Sequence, residues 1–529
     1  MKYDGLITKK EFEHINASLK REPNDFELAL FSATYSEHCA YKHSKELLKH
    51  LPKEGSIYSE ENAGGFQIGK HAVLFKMESH NHPCAVEPFN GAATGIGGIV
   101  RDVLAMNARP IALCNSLKFA SNNRIQKGVV SGISAYGNCI GVPTVSTEVI
   151  HCECYKENPL VNVVAIGLAK KDDVMVSNNA KVGLKLMLVG SATMRDGMGG
   201  AAFASKKLSD EKAEDKISVQ IANPFMKKKL IEACLEIFSK KLVVSCQDCG
   251  AAGILSSTSE VAYKSNIGVS VDLDKIHIGD KSIKDFEIML SETQERMLFV
   301  VEDEKISFIA QILKKFALEY SIIGETICDK KYIVKNKGEF LSDLPTELLV
   351  NPPLVEIDYS NKPNLSTNHE YKVLDANSAE VFEQYDHTVG SRTCFSPSLN
   401  PNNSDNLYTN PQFNSLWIYE ENCYLGVLTF SVVIQNDASN EVYDGIVNAA
   451  KVLKDKGFEP KGMTNCLNFA NPEKPPTMYQ FKETILFMKK ACEELKIPIC
   501  SGNVSFYNEY SGGKILNTPT FTIIGVKKY

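Results

Sequence analysis

The sequence predicts an α/β (α+β) protein in which a two-lobe unit has been duplicated about a pseudo-twofold. Three observations predict it. Apolar strand-like runs alternate with segments of helical period. The chain matches itself at an offset of 350 residues. Its 529 residues, 43% hydrophobic and 23% charged, have room for about three domains with separate cores.

The segment 1–60 reads as helical and charged. Glu11, Phe12, His14 and Ile15 open one helix, and Asn24-Asp25 caps another through Leu28, Leu30 and Phe31. Residues 61–172 are expected to form a first N-terminal-type lobe that carries the active site. In it, Val129, Ile133, Tyr136 and Ile140 have helical spacing that stops at Pro143. The strands Thr144-Val-Ser and Val163-Val-Ala-Ile-Gly follow. A C-terminal-type lobe is expected over 173–350. The Pro- and Asn-rich stretch 351–368 reads as a linker, and 396–404 as a surface loop.

The remainder of 351–529 is expected to be a second N-terminal-type lobe. Gly95, Pro110, Asn115, Leu117, Phe119 and Ala120 fall on Gly445, Pro460, Asn465, Leu467, Phe469 and Ala470. The helix through Phe481, Ile485, Met488, Cys492 and Leu495 stops at Pro498, as its counterpart stops at Pro143. The copies are chemically unequal, because Arg101 and Asp102 fall on Lys451 and Val452. One working site and one structural or regulatory site are expected. After Gly167 the chain runs on for another domain, whereas after Gly525 four residues follow. The expectation is that the second copy lacks its C-terminal-type lobe, or that the chain is one piece of a split protein.

A net charge of −6 argues against a dedicated nucleic-acid binder. No apolar run reaches the roughly 18 residues that span a bilayer, and the first residues are not of signal-peptide type, so a cytoplasmic protein without membrane contact is expected. The fifteen cysteines are then expected as free thiols. Cys246-Gln-Asp-Cys249 and His151-Cys-Glu-Cys154 also allow a metal, although a lone pair of this kind is weak.

The densest chemistry lies in Lys76-Met-Glu-Ser-His-Asn-His-Pro83, followed by Glu87, Gly91-Ala-Ala-Thr-Gly-Ile-Gly-Gly98 and Arg101-Asp102. In a strand over 74–78, Lys76 and Glu78 share a face, and His80 and His82 follow in a turn ended by Pro83. Lysine neutralises phosphate, a carboxylate holds a hard cation, and an imidazole moves protons near neutral pH. The glycines are expected to let backbone N–H groups approach a ligand. A pair of core histidines beside a glycine turn is the plainer alternative. Asp248, after an apolar run, suits Mg²⁺ or simply caps a turn. The segment Ser291-Glu-Thr-Gln-Glu-Arg-Met297 suits either a polyhydroxylated ligand or a solvated loop. His38 and Tyr41, three apart on an early helix, share a face. The pair Gly502-Asn503 suits a tight turn. The pattern Gly137-Asn-Cys139-Ile-Gly141 ends a helix, so it is not a nucleophile elbow.

Taken with Arg21-Glu-Pro-Asn-Asp, Arg195-Asp-Gly, Asn471-Pro-Glu-Lys-Pro and Ser501-Gly-Asn-Val-Ser-Phe-Tyr-Asn-Glu, these motifs give a resemblance over almost the whole chain. It resembles the synthetase-subunit family of phosphoribosylformylglycinamidine synthase, of the small bacterial and archaeal type, within the aminoimidazole ribonucleotide synthetase-like superfamily. The resemblance implies that formylglycinamide ribonucleotide, ATP and ammonia give formylglycinamidine ribonucleotide, ADP and phosphate through an iminophosphate, in purine biosynthesis. It implies His80 as general acid/base and His38 as a second catalytic histidine. It implies Glu78, Asp102, Asp248 and Asn503 as Mg²⁺ ligands, and Tyr41, Lys76, Asn465 and Gly502 on ATP. Ser79, Asn81, His82, Arg101, Gln220, Glu292, Thr293, Gln294 and Ser505 are implied on the substrate. Implied partners are a separate glutaminase subunit, a small adaptor subunit and a separate C-terminal-domain polypeptide. Asn465 stands where the family usually has Asp, and Met194 where it has Gly. The alternatives are a non-catalytic partner in a split synthetase, or another ATP-using member of the superfamily.

Overall fold

The structure is a computed structural model. It describes residues 6–120, 124–198, 200, 205, 219–363, 370–373, 381, 384–395, 413–435, 438–510 and 513–529. The expected loop at 396–404 and the end of the linker lie outside these residues. Residues 351–363 have no regular secondary structure.

Both early helices begin at reciprocal caps. Thr8 caps Lys9–Leu19 with Glu11 answering, and Asn24 caps Asp25–Thr34 with Glu27 answering. A first sheet follows, built from β1 (Gly64–Ile68), β2 (His71–Ser79), β3 (Arg109–Phe119), β4 (Thr144–His151) and β5 (Leu160–Lys170), in the order β1-β2-β5-β3-β4. Only β3 and β4 in this set run parallel. The helix Arg124–Ile140 makes their crossover, with its apolar stripe at Val129, Ile133, Tyr136 and Ile140 buried.

A second sheet comprises β6 (Lys185–Gly190), β7 (Ser245–Asp248), β8 (Gly268–Asp272), β9 (Arg296–Val301), β10 (Glu319–Ile327), β11 (Lys331–Asn336) and β12 (Glu339–Pro345). Its order is β12-β11-β8-β10-β6-β9-β7. The N-terminal helix Asp25–Thr34 docks on it through Leu30 and Phe31, beside Leu255 and Val261 of the helix Gly253–Lys264.

Two short strands come next. β13 (Lys372–Val373) adds to the β4 edge of the first sheet, and β14 (Thr393–Phe395) opens the third. The rest of the third sheet is β15 (Phe413–Ile418), β16 (Cys423–Ser431), β17 (Glu459–Asn468), β18 (Ile499–Ser505) and, after the small hairpin β19 (Glu509–Tyr510) and β20 (Gly513–Lys514), β21 (Thr518–Lys528). The order β15-β16-β21-β17-β18 reproduces the first sheet. Even the irregularities recur. Pro110 opposite Gly167 and Pro460 opposite Gly525 each precede a bulge, and the parallel pairs shift register after Leu113 and after Met463.

The first and third sheets pack face to face. Phe66, Phe75, Met77, Val164 and Ile166 meet Leu425, Val427, Cys466, Cys500 and Ile524 in one buried layer. The helices Pro88–Ala105 and Arg124–Ile140 cover the outer face of the first sheet, and Ala438–Asp455 and Pro475–Leu495 that of the third. Among the described residues no helix is long and apolar enough to cross a membrane.

Phe75 is fully buried in the shared layer and stacks edge-on with Phe66 at 5.9 Å. Phe75→Ala is therefore expected to cost about 3–5 kcal/mol, read as a lower urea midpoint.

Candidate active site

Strand alternation sets up the site. Phe75 and Met77 of β2 point into the buried layer, so Lys76 and Glu78 must point the other way. There they border a cavity of about 310 Å³. His80 follows directly, and Asn81–Val86 is a short helix that contains His82 and Pro83. Pro83 therefore sits inside a first helical turn, where its missing N–H costs nothing, rather than ending the turn.

The glycine segment is also not a loop. Gly91 to Gly98 lie within the helix Pro88–Ala105, so they are not a backbone anion cradle. Their absent side chains allow close packing instead. A Cβ on Gly91 would lie 2.6 Å from the backbone of Pro83 and Cys84, and one on Gly95 would lie 3.1 Å from His80 Cβ. The helix thus lies against the histidine turn and presents Arg101 and Asp102 to the cavity.

The charges interlock. Lys76 Nζ lies 3.2 Å from Glu78 Oε1 and 3.1 Å from Asp102 Oδ2. Arg101 Nε lies 3.2 Å from Asp248 Oδ2, and another of its N–H groups donates to Gln294 Oε1 at 2.6 Å. Asp248 is brought in by the end of β7. Burial opposes the Glu78 carboxylate, but Lys76 and His38 hold it below its ordinary range. Burial, together with Glu78 and Asp248, drives Asp102 well above its own, against Lys76. Fully ionised, Glu78, Asp102 and Asp248 would outnumber Lys76 and Arg101 by one charge, and holding a proton on Asp102 relieves that excess. Among the described residues no three His, Cys, Asp or Glu side chains already converge on one point.

Burial pushes the His80 imidazole down to about 4, so the ring is neutral near pH 7. Nδ1 faces the Gly91 carbonyl. A carbonyl only accepts, so Nδ1 carries the proton and Nε2 carries the lone pair. His38 is also lowered, again by burial, and lines the same cavity. Tyr41 lies beyond the short helix Glu37–Ala40, in the left-handed region at φ 52°, so it does not share a helical face with His38. It reaches the cavity from that cap.

Val504 and Ser505 of β18 supply part of the opposite wall, whereas Asn465, Gly502 and Asn503, expected on nucleotide and Mg²⁺, stand behind it. Tyr41 donates to Asn503 Oδ1 at 3.0 Å, and Asn503 Nδ2 donates to Ser79 Oγ at 3.3 Å. Gly502 and Asn503 lie inside β18 rather than in a tight turn. Asn465 stands opposite Gly502 in register, and a Cβ there would lie 2.8 Å from the Asn465 amide. Asn81 donates to Asn468, Ser505 and Asn508 and accepts from the Val161 N–H. Its side chain is therefore engaged in joining the two lobes.

The segment from Ser291 to Glu295 is buried, not a solvated loop. Glu292 lines the cavity and accepts from Gln220 Nε2 at 2.6 Å and from the Ala252 N–H at 3.0 Å. Thr293 and Gln294, expected on the substrate, are not on the cavity wall. Thr293 holds Asp196 at 2.8 Å and Gln294 holds Arg101. Sequence reasoning missed Asn62, Gln247, Glu260 and Lys264, which line the cavity too. Gln247 joins Asn62 at 2.8 Å and also donates to Glu260. Its place beside Asp248 was the available signal, whereas nothing in the sequence marked Asn62.

A profile described as "AIR synthase related protein, N-terminal domain" matches twice, at 60–169 and 429–527. Its C-terminal counterpart matches 181–337. "Formylglycinamide ribonucleotide amidotransferase linker domain" matches 2–42. The Petrotoga mobilis phosphoribosylformylglycinamidine synthase subunit PurL is 43% identical over 98% of this chain and 73% of its own length. The chain belongs to the phosphoribosylformylglycinamidine synthase subunit PurL family. Among PurL structures, Thermotoga maritima PurL complexed with FGAR superposes with a TM-score of 0.88 at 37% identity, covering 98% of this chain and 83% of that one. T. maritima PurLQS (TM-score 0.85, 35% identity) and T. maritima PurL complexed with ATP (0.83, 35%) each match 98% of this chain and 82% of theirs.

Gly91→Ala tests the helix packing. Alanine favours a helix by about 1 kcal/mol, yet here its Cβ meets backbone at 2.6 Å. The clash is expected to win, with a net loss of about 1–2 kcal/mol in thermal or urea unfolding.

Proposed function

We propose that the chain is an ATP-dependent carbon–nitrogen ligase that aminates formylglycinamide ribonucleotide to formylglycinamidine ribonucleotide, releasing ADP and phosphate, in purine biosynthesis. The observation that carries this reading is one composite cavity. It places a neutral imidazole, with Nε2 as its acceptor, beside a half-buried Lys76–Glu78–Asp102 cluster. The PurL relatives and the FGAR and ATP complexes of T. maritima PurL support it.

Tyr41, Lys76, Asn465 and Gly502 are assigned to ATP, with Lys76 set against phosphate charge. Glu78, Asp102, Asp248 and Asn503 would hold Mg²⁺, which when bound neutralises phosphate. The fit is chemical: Mg²⁺ takes one or two carboxylates and completes its shell with phosphates and water, so three converged acids are not needed. Arg101, fixed by Asp248 and Gln294, is assigned to the ribonucleotide with Ser79, His82, Gln220, Glu292 and Ser505. Asn81 positions that set.

Transfer of a phosphoryl group to the amide oxygen turns a poor leaving group into a good one, and ammonia then attacks the carbon. The attacking nitrogen must lose a proton, and His80 Nε2 is the acceptor. His38 lines the same wall as a second imidazole. Enclosure limits loss of the activated amide to water. A separate glutaminase subunit with a small adaptor is the proposed ammonia source, supported by the T. maritima PurLQS assembly.

Ammonia-dependent ADP release in the presence of formylglycinamide ribonucleotide is the direct assay, and absence of turnover in the assembled complex would overturn the ligase reading. His80→Ala is expected to lower turnover at least about 10²-fold while nucleotide still binds. Wild-type rates in that variant would remove His80 from the chemistry. Chelation of divalent cations is expected to abolish turnover, with Mg²⁺ restoring it. Undiminished turnover in chelator would eliminate the proposed cation.

A further inference from the structure

The two cysteines of His151-Cys-Glu-Cys154 play no part in the chemistry above. Cys152 leaves the end of β4, its N–H bonded to the Phe119 carbonyl at 2.8 Å, and Glu153–Tyr155 forms a single 3-10 turn. That turn folds the two side chains together, with the Sγ atoms 3.0 Å apart. The pair lies just under the surface. Cys152 and Cys154 are 4% and 7% exposed, and Glu153 between them is exposed.

The same turn is wired to the active site. Tyr155 Oη bonds Thr518 Oγ1 at 2.8 Å. The Thr518 carbonyl accepts from Asn468 Nδ2 at 2.9 Å, and Asn468 Oδ1 accepts from Asn81 Nδ2 at 2.9 Å. Asn81 lies between His80 and His82. Three hydrogen bonds therefore run from the cysteine turn to the catalytic turn, all through buried groups.

We propose that Cys152 and Cys154 form an oxidisable dithiol whose conversion to an intramolecular disulfide by a hydroperoxide is transmitted through Tyr155, Thr518 and Asn468 to the His80–His82 turn. Cys152 is the attacking sulfur. The contact with the Cys154 sulfur draws the Cys152 thiol down to about 7, while the same contact and burial push Cys154 up. The Cys152 thiolate forms an S–O bond to the peroxide as the O–O bond breaks, and the alkoxide or hydroxide leaves with a proton as alcohol or water. Cys154 Sγ then displaces hydroxide from the sulfenic acid, forming S–S, and its own proton leaves with that hydroxide as water. The two sulfurs lose two electrons and the peroxide gains them. Drawing 3.0 Å down to a covalent bond of about 2.05 Å must tighten the turn that carries Tyr155.

The site is tested independently of the ligase reading. The folded protein is treated with hydrogen peroxide, denatured, alkylated and mapped by mass spectrometry. The expected result is one peptide with Cys152 and Cys154 joined and protected, reopened by dithiothreitol. In Cys154→Ser, a sulfenic acid trapped at Cys152 by dimedone is expected. Alkylation of both thiols after peroxide would overturn the site. Transmission rests on the proposed function and is read in the ammonia-driven assay. Oxidation is expected to raise KM for formylglycinamide ribonucleotide severalfold, reversibly, in wild type. It is expected to have no effect in the Cys152→Ser/Cys154→Ser double variant, and little effect in Tyr155→Phe even though its disulfide forms. A disulfide that leaves KM unchanged in wild type would overturn the transmission and leave the modification site standing.

Discussion

When Phe75, Met77 and Val164 pack against Cys466, Cys500 and Ile524, strands from opposite ends of the chain become neighbours. The cavity depends on this apolar contact. It is non-directional and strong in aggregate, yet strand alternation makes it directional for the polar residues. Each apolar side chain that β2 commits to the layer fixes Lys76 or Glu78 on the opposite face. The same contact brings Asn503 to Ser79 and Asn468 to Asn81. The polar links between lobes are individually worth about 1 kcal/mol. They specify the geometry, and the buried layer supplies the driving force.

Behind the cavity lies a second, harder constraint. Glu295 holds φ 64°, a conformation that costs a non-glycine residue about 1–2 kcal/mol. Its carboxylate accepts from the buried Tyr136 and pairs with the buried Lys227. Tyr136 lies on the helix Arg124–Ile140, close enough to Gly97 that a Cβ there would come within 2.7 Å of its hydroxyl. Breaking such a buried pair leaves a charge uncompensated and costs about 3–5 kcal/mol, more than the backbone strain it offsets. The strained residue directly follows Gln294, whose side chain anchors Arg101. Arg296, fully buried, donates to the carbonyls of Ser291 and Thr293 and holds the rest of this turn.

Much of this was legible in the sequence because it is local or periodic. Helical spacing gave Arg124–Ile140 and Pro475–Leu495, capping residues gave the two early helices, and the 350-residue offset gave the repeated sheet. The cluster from Lys76 to His82 was legible because alternation dictates which side chains share a face. What escaped is what tertiary packing decides. Gly91 to Gly98 look like a loop by propensity, but close approach to Pro83 and His80 makes glycine the residue a helix needs there. Gly502 and Asn503 look like a turn, but pairing with β17 draws them into a strand. The burial of the segment from Ser291 to Glu295, and the roles of Thr293 and Gln294 behind the wall, depend on Arg296 and Asp196. Arg296 is a sequence neighbour, but its folding back onto Ser291 and Thr293 and the approach of Asp196 cannot be read from spacing.

The inequality of the two copies follows from the same register. Lys76 stands opposite Ala165 and Glu78 opposite Val163 on β5, and the equivalent positions against β21 are Leu428 opposite Ile523 and Phe430 opposite Phe521. The ammonium and the carboxylate of the first copy are thus a leucine and a phenylalanine in the second, and Asp102 has become Val452. Leu428 and Phe430 are buried, with Phe430 5.3 Å from Phe521. The second copy has filled with core the space that the first keeps for charge. Filling it stabilises that lobe, because a desolvated acid cluster gives way to apolar contact. That lobe presents Ser505 to the cavity and Asn503 to Tyr41 and Ser79. A duplicated fold that kept two charged pockets would have to hold both open, whereas one that retains a single pocket can use its twin as the wall.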